Sequence, residues 1–346
     1  MSTNKTKTLV FIGTIKKVAN CGESMKNHLF IERFREVFDK VITVDVWAPK
    51  KHLWNILKMV LVAITHRNTP TVMSVSISTG DKILHWLQKL GCKNIYYWAV
   101  GGTMHLRLEE PQFDPEPYKK LKAIYVQSPQ IVEGLKKFGI NNAIHVNNSK
   151  RINYIPDISG RNNDNVRFVF LSRVHPDKGC AMIANCSKRL NKMGYKDKFV
   201  VDFYGKIDEK YCEFLPMIEP IDNVNYKGFL DLTSNKGYDT LATYDMMLFP
   251  TYWDGEGFPG IVIDAYISGV PIIASNWNCN EEVIDSQTGV IIPHHDEEAL
   301  FYAMKNTLDG AYNLKQMASD CQARVKEYDN RTVLSEENLR KIGFIQ

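Results

Sequence analysis

The run Asp245-Met-Met-Leu-Phe-Pro-Thr-Tyr-Trp-Asp-Gly-Glu-Gly-Phe-Pro-Gly-Ile-Val-Ile-Asp-Ala-Tyr-Ile-Ser-Gly-Val-Pro-Ile-Ile-Ala274 decides the fold. Met246 to Phe249 are apolar without alternation, the pattern of a strand buried on both faces. A glycine-rich acidic loop follows, carrying Gly255, Glu256, Gly257 and Gly260. Pro259 falls where a first helical residue is expected, and Gly269 where the helix should stop. Pro271 to Ala274 then reads as a second buried strand. Strand, loop, helix and strand in such close succession make a βαβ unit, which builds a parallel sheet.

The same alternation extends outward in both directions. Further strands are predicted at Arg167–Leu171, Lys198–Tyr204, Val224–Lys227 and Gly289–Ile292, with helices near Gly179–Met193, Gly260–Ser268 and Glu297–Leu308. In the first half, strands are expected at Thr8–Ile12, Val41–Val46, Thr71–Ser76, Asn94–Val100 and Ala123–Gln127. Helices fall between them near Ser24–Phe38, Lys51–His66, Asp81–Leu90 and Pro129–Phe138. Each half therefore reads as one doubly wound α/β domain. The stretch Asn148–Asn165, rich in Asn, Asp, Gly and Pro, is the expected linker. The predicted organisation is an N-terminal Rossmann-like domain over 1–155, a C-terminal one over 156–330, and a final helix over 331–346 crossing back to the first. Ligands of open α/β sheets bind at the carboxyl ends of the strands.

The length of 346 residues suits two domains, and 44% hydrophobic with 24% charged residues is ordinary globular composition. Disordered, collagen-like and disulfide-scaffold classes are excluded. The net charge of +4 hides a division. Residues 1–160 carry 23 Lys and Arg against 12 Asp and Glu, while residues 161–346 carry 20 against 27. The basic half points to an anionic partner such as a nucleic acid or a membrane surface, or to solvated surface lysines. The seven cysteines are scattered and form no CxxC, as expected of reduced thiols in cytoplasm rather than a zinc site. The polar N-terminus runs straight into a strand, without the apolar core of a signal peptide.

The stretch Leu53 to Ile64 is apolar but shorter than the ~20 residues of a spanning helix. It reads as a core helix, because apolar residues nearly surround it. The other reading lays its Trp, its Leu residues and its basic flanks on a membrane.

Two segments carry chemistry. In Phe168-Val-Phe-Leu-Ser-Arg-Val-His-Pro-Asp-Lys-Gly179, a buried strand delivers Arg173 and Lys178 to a loop that opens a helix. Helix N-terminal N–H groups and two cations favour an anion there, and a solvated turn with Asp177 as counter-charge is the alternative. In the quoted loop, Glu256 and Asp264 are placed to reach different parts of one ligand at the helix N-terminus. Carboxylates accept hydrogen bonds from vicinal hydroxyls, and the glycines allow close backbone approach. A capping Glu and a solvated Asp are the structural alternative.

The S-R-x-x-x-x-K-G segment, followed by E-G-F-x-x-x-x-x-D-A and then G-x-P-I-I-A-S, resembles the donor half of the family-four retaining glycosyltransferases of GT-B fold. Glu281-Glu-Val-Ile and Gln287-Thr-Gly-Val-Ile-Ile-Pro293 continue the likeness, which covers roughly residues 166–308. The resemblance implies that Arg173 and Lys178 hold the donor's diphosphate and that Glu256 takes hydroxyls of the transferred sugar. It puts Gly257, Phe258, Pro259 and Gly260 close to sugar and phosphate. Asp264 would bind the ribose, although the family usually has a Glu there, one methylene longer. Gly228 and Phe229, within Lys227-Gly-Phe-Leu230, would flank the base. His105, in Tyr96-Tyr-Trp-Ala-Val-Gly-Gly-Thr-Met-His105, is a candidate contact to the donor sugar. The family's acceptor-side Gly-Gly loop is missing here, so Gly22, Glu23 and Ser24 would stand in for it; Gly13-Thr-Ile-Lys-Lys-Val18 is no dinucleotide fingerprint.

The function so implied is retaining transfer of a sugar from a nucleoside-diphosphate sugar to a hydroxyl of a glycan or polyprenyl-diphosphate-linked acceptor. Capsule, exopolysaccharide or O-antigen assembly is the expected setting. No metal and no cofactor is expected, since no Asp-x-Asp ends a matching strand. A cytoplasmic protein in peripheral contact with an anionic membrane is expected, with no nucleic-acid partner. A nucleotide-sugar epimerase of the same fold and a non-catalytic transferase-like subunit are the competing functions.

Overall fold

The computed structural model describes residues 8–15, 22–46 and 53–345. The chain forms two compact units, one of residues 1–151 with 327–346 and the other of residues 152–326. The changeovers fall four residues before each boundary expected from the sequence. The reason is local: Lys150 and Asp329 bridge in parallel, with Lys150 N–H on the Tyr328 carbonyl and Asn330 N–H on the Lys150 carbonyl. This pairing draws both passing segments into unit 1.

Unit 1 alternates strands and helices: β1 (Leu9–Gly13), α1 (Gly22–Val37), β2 (Val41–Asp45), α2 (Leu53–Thr65), β3 (Thr71–Ser74) and α3 (Ile77–Lys89). It continues with β4 (Ile95–Trp98), α4 (Met104–Arg107), α5 (Glu116–Lys119), β5 (Ala123–Val126), α6 (Pro129–Lys136) and β6 (Ala143–His145). All its strands are parallel, in the order β2-β1-β3-β4-β5-β6. One face of the sheet packs Val10, Ile12, Met73 and Tyr97 against Val62 of α2 and Leu84 of α3. The other packs Phe11, Trp98 and Tyr125 against Phe30 and Phe34 of α1.

Unit 2 contains β7 (Val166–Leu171), α7 (Cys180–Leu190), β8 (Phe199–Tyr204), α8 (Phe214–Ile218), β9 (Val224–Gly228), α9 (Asn235–Leu241) and β10 (Met246–Phe249). Then come α10 (Gly260–Ile267), β11 (Ile272–Ser275), α11 (Asn280–Val283), β12 (Gly289–Ile292), α12 (Glu297–Leu308) and α13 (Leu314–Arg324). Its sheet is also parallel, in the order β12-β11-β10-β7-β8-β9. Winding runs outward from β7 through β8 and β9, then resumes at β10 on the other side. The topological switch point therefore lies between β7 and β10.

The last segment returns to unit 1 as two short helices, α14 (Asn330–Val333) and α15 (Glu336–Lys341), rather than the single expected one. Ser335 separates them, capping α15 through the N–H of Asn338. Phe344 then lies among Phe34, Phe38, Trp98 and Tyr125, and the Tyr125 hydroxyl donates to the Ile342 carbonyl at 3.1 Å. The expected linker is irregular from residue 152 to 165 but is anchored to unit 2. Gln322 Nε2 donates to the Pro156 carbonyl at 2.9 Å, and Arg161 donates to the Tyr244 carbonyl at 2.8 Å.

Helix α2 departs from its sequence reading as a core helix. Val62 and Ala63 enter the core, but Trp54, Leu57, Leu61 and Ile64 are exposed. Among the described residues no helix is long and apolar enough to cross a membrane.

Candidate active site

The switch point of unit 2 gathers the two segments singled out above. Strand β7 ends in Ser172–His175 and then a single 3-10 turn, Pro176–Lys178. His175 caps that turn, its Nδ1 accepting the Asp177 N–H at 3.2 Å. Gly179 closes it with φ of 74° and opens α7. A Cβ at Gly179 would stand 2.4 Å from the Pro250 carbonyl oxygen, so only glycine lets the loops after β7 and β10 come this close.

Tyr252 fastens the loops together. Its N–H donates to the Asp177 carbonyl at 2.8 Å and its hydroxyl to the Pro176 carbonyl at 3.1 Å. Across this seam the Lys178 ammonium meets the Glu256 carboxylate, with both side chains mostly buried, 7% and 13% exposed. Thr251 Oγ1 donates to the same carboxylate oxygen at 3.1 Å. The Glu256 backbone is held too: its N–H donates to the Trp253 carbonyl at 3.0 Å, and its carbonyl accepts from Asn278 Nδ2 at 2.8 Å.

The Trp253 indole organises the cations. The Arg173 guanidinium lies 4.7 Å from its ring centroid, and the His175 ring packs edge-on at 4.7 Å. Lys178 Nζ is 6.0 Å from the Trp253 centroid and 5.7 Å from that of Phe249. Trp277 Nε1 donates to the Trp253 carbonyl at 2.9 Å, and Trp253 N–H reaches Thr251 Oγ1 at 3.3 Å. The result is a cluster of two cations and one carboxylate beside the N-terminus of α7, the environment that suits a diphosphate.

Beyond Glu256, Gly257 is half-buried, while Phe258 and Pro259 are buried. Pro259 is the N-cap of α10, with φ −73° and ψ 117°, rather than its first helical residue. Gly269 ends the helix with φ of 60°, as expected. Asp264 lies one turn into α10 and is buried at 3% exposure, not solvated. Its carboxylate accepts from the Tyr238 hydroxyl of α9 at 2.9 Å. Burial, reinforced by the charge of Asp264, drives the Tyr238 phenol well above its usual range. The two acids thus face different partners, Glu256 toward Lys178 and Asp264 toward Tyr238.

Gly228 takes φ of 78° at the end of β9, and Phe229 beside it is 81% exposed, an open aromatic surface two strands from β7. In unit 1, Ser24 is buried in the first turn of α1, and its hydroxyl has no hydrogen-bond partner among the described residues. Gly22 and Glu23 begin the same helix, and residues 16–21 before them lie outside the described residues. His105 lies in α4 and is half-buried. Its ring packs over Gly134 of α6, where a Cβ would stand 2.5 Å from His105 Cδ2. Burial lowers its pKa and so favours the neutral ring.

Sequence reading missed Thr251, Trp253, Asn278 and Tyr238 as parts of the site. The first two stood in the quoted loop, but a loop aromatic has no period to expose its role. Asn278 and Tyr238 arrive from other loops and helices with no spacing signal. Among the described residues, no three His, Cys, Asp or Glu side chains stand together as a metal site.

Two parallel six-stranded sheets with flanking helices, each wound both ways, define the GT-B class of fold. Residues 165–310, all within unit 2, match the family described as Glycosyl transferases group 1. The chain is 26% identical over 156 residues to an uncharacterised 41.2 kDa protein of the cps region of Klebsiella pneumoniae, covering 45% of this chain and 40% of that one. It is 23% identical over 186 residues to the capsular polysaccharide biosynthesis glycosyltransferase CapM of Staphylococcus aureus, covering 51% and 45%. The matches thus span less than half the length of these curated relatives. The solved structure of Anabaena HepE in complex with UDP has a TM-score of 0.72 and 13% identity, over 98% of this chain and 100% of that one. At that identity the likeness is one of fold.

Proposed function

We propose that the protein is a retaining glycosyltransferase that moves a sugar from a nucleoside-diphosphate donor to a hydroxyl of a glycan or lipid-linked acceptor. The observation that carries this reading is the Lys178–Glu256 contact at the switch point of a domain matching the group 1 family. The UDP held by HepE and the capsular role named for CapM support a nucleotide-sugar donor and a cell-surface polysaccharide product. The acceptor in this reading is glycan or polyprenyl diphosphate, met at the cytoplasmic face of an anionic membrane.

The chemistry follows from the geometry. Breaking the glycosyl–phosphate bond builds negative charge on the departing diphosphate. Arg173, Lys178 and the N–H groups at the start of α7 are fixed in advance for that charge, so they stabilise the transition state more than the ground state. Glu256 keeps Lys178 oriented in the free protein and offers its carboxylate to sugar hydroxyls in the complex. Gly257 to Gly260 bring backbone to the sugar, Asp264 takes the ribose with Tyr238 behind it, and exposed Phe229 stacks on the base. No metal takes part in this reading, and retention at the anomeric carbon rests on the family resemblance.

The test is thermal shift with UDP-, GDP-, ADP- and CDP-sugars. A true donor at 100 times its Kd stabilises by ~2.7 kcal/mol. The proposal requires a shift with at least one of them, absent in Glu256→Ala. No shift with any would overturn it.

A further inference from the structure

Helix α2 is apolar on two opposed faces. Val62 and Ala63 are buried in unit 1. On the other side Trp54 is 81% exposed, Leu57 57%, Leu61 60% and Ile64 44%. Their spacing of three, four and three residues aligns them as one stripe along the helix. Leaving four large apolar side chains in water along one continuous line is costly, and such patches mark interaction surfaces.

The charges around the stripe narrow the choice of partner. The helix contains no acidic residue, and exposed Lys58 stands on the same arc as the stripe. His66 and Arg67 follow its C-terminal end, and Lys50 and Lys51 precede it in the sequence. The first 160 residues carry 23 basic against 12 acidic side chains. A second copy of this chain would bring the same positive surface to an isologous contact, where like charges oppose association. An anionic bilayer instead offers apolar depth for the stripe and phosphate charge for its basic flanks.

We infer that the Trp54–Ile64 face of α2 is a membrane-docking surface that lies in the plane of an anionic lipid bilayer. Trp54 and the three aliphatic side chains enter the interface, while Lys58 and Arg67 stay at the level of the lipid phosphates. The inference deepens the proposed use of a lipid-linked acceptor, because it keeps the enzyme at the surface where such an acceptor resides. It is independent of the donor residues around Lys178 and Glu256, which belong to unit 2 while α2 belongs to unit 1.

The experiment is co-sedimentation of the full chain with vesicles of phosphatidylcholine alone and of phosphatidylcholine with phosphatidylglycerol. The expected result is binding to the anionic vesicles that weakens with salt, with much less on the neutral ones. Leu57→Glu/Leu61→Glu should reduce anionic binding on the order of tenfold or more, with the melting temperature unchanged because both side chains are exposed. Equal binding to both vesicles, binding to neither, or undiminished binding by the double variant would overturn the inference. So would a wild-type dimer in light scattering that the double variant converts to monomer. Nucleotide-sugar thermal shifts, run on the same two proteins, report the donor site separately: they should match whether or not vesicles bind.

Discussion

The Lys178–Glu256 pair allows stability and catalysis to be separated by one set of variants. Both side chains are mostly buried, at 7% and 13% exposure, and Thr251 also donates to Glu256. Glu256→Gln keeps the shape and an acceptor for Thr251 but leaves the Lys178 ammonium without its counter-charge. Lys178→Met keeps length and leaves the carboxylate alone instead. Removing one partner of a buried pair costs roughly 3–5 kcal/mol, whereas replacing both is far cheaper. In a domain of about this size, 1 kcal/mol moves the melting temperature by roughly 2–4 °C. Each single variant should therefore lose about 6–20 °C in calorimetry, and the double variant should recover much of that loss. Turnover should behave differently, falling on the order of 10²-fold in each single variant with no recovery in the double. If the stability losses add to within ~0.5 kcal/mol, the two groups are not coupled and the pairing argument fails. If turnover recovers along with stability, the pair is structural and the diphosphate is held elsewhere.

Three further outcomes follow from the packing. Gly179→Ala combines a positive φ with a Cβ 2.4 Å from the Pro250 carbonyl, so chemical denaturation should show a loss of about 2 kcal/mol or more, with weaker nucleotide-sugar binding. Tyr238→Phe deprives buried Asp264 of a hydroxyl 2.9 Å away, and urea titration should register a cost of roughly 1–3 kcal/mol. Lys26, half-buried against Phe30, has its ammonium pushed down to about 7 by burial. Between pH 7 and its unfolded value of 10.5 the unfolded chain binds the extra proton, so this residue makes stability rise with pH in that window. Lys26→Met should flatten that rise and be the more stable protein at pH 6; parallel pH dependences in the two proteins would contradict it.

The strands were legible because a buried parallel strand is an uninterrupted apolar run, as in Phe168-Val-Phe-Leu171 or Met246-Met-Leu-Phe249. The elements that escaped were those with too few residues to show a period. Strand β6 has three residues, α4, α5, α8 and α11 have four or five each, and α9 has seven. Helix α13 is longer but buries only Met317, Ala318 and Cys321 among Lys, Gln and Asp, so its apolar stripe is thin. Helix α2 misled for the opposite reason. A nearly complete ring of apolar residues is the pattern of a helix buried on all sides, and equally of one that serves two apolar surroundings. Only the exposures of Trp54 and Leu61 separate the two.

The site was legible as far as its charges and not as far as its scaffold. Arg173, Lys178 and Glu256 could be named because S-R-x-x-x-x-K-G and E-G-F occur together in order; the charges of either segment alone fit a solvated turn or a capping acid as well. What holds them does not announce itself: a tryptophan under a guanidinium, an amide from the loop after β11, a tyrosine behind a carboxylate. The same locality resolves the division of charge between the halves. The half that contains unit 2 carries the acidic excess, yet its switch point concentrates two cations within reach of one indole. Charges farther than about 8 Å are largely screened at physiological ionic strength, so the cluster, not the net charge, sets the potential a diphosphate meets. A flat bilayer is different, because it meets many surface side chains at once. In the docking proposed above, the basic excess of unit 1 therefore bears on the lipid surface, whereas the acidic excess of unit 2 has little bearing on its own site.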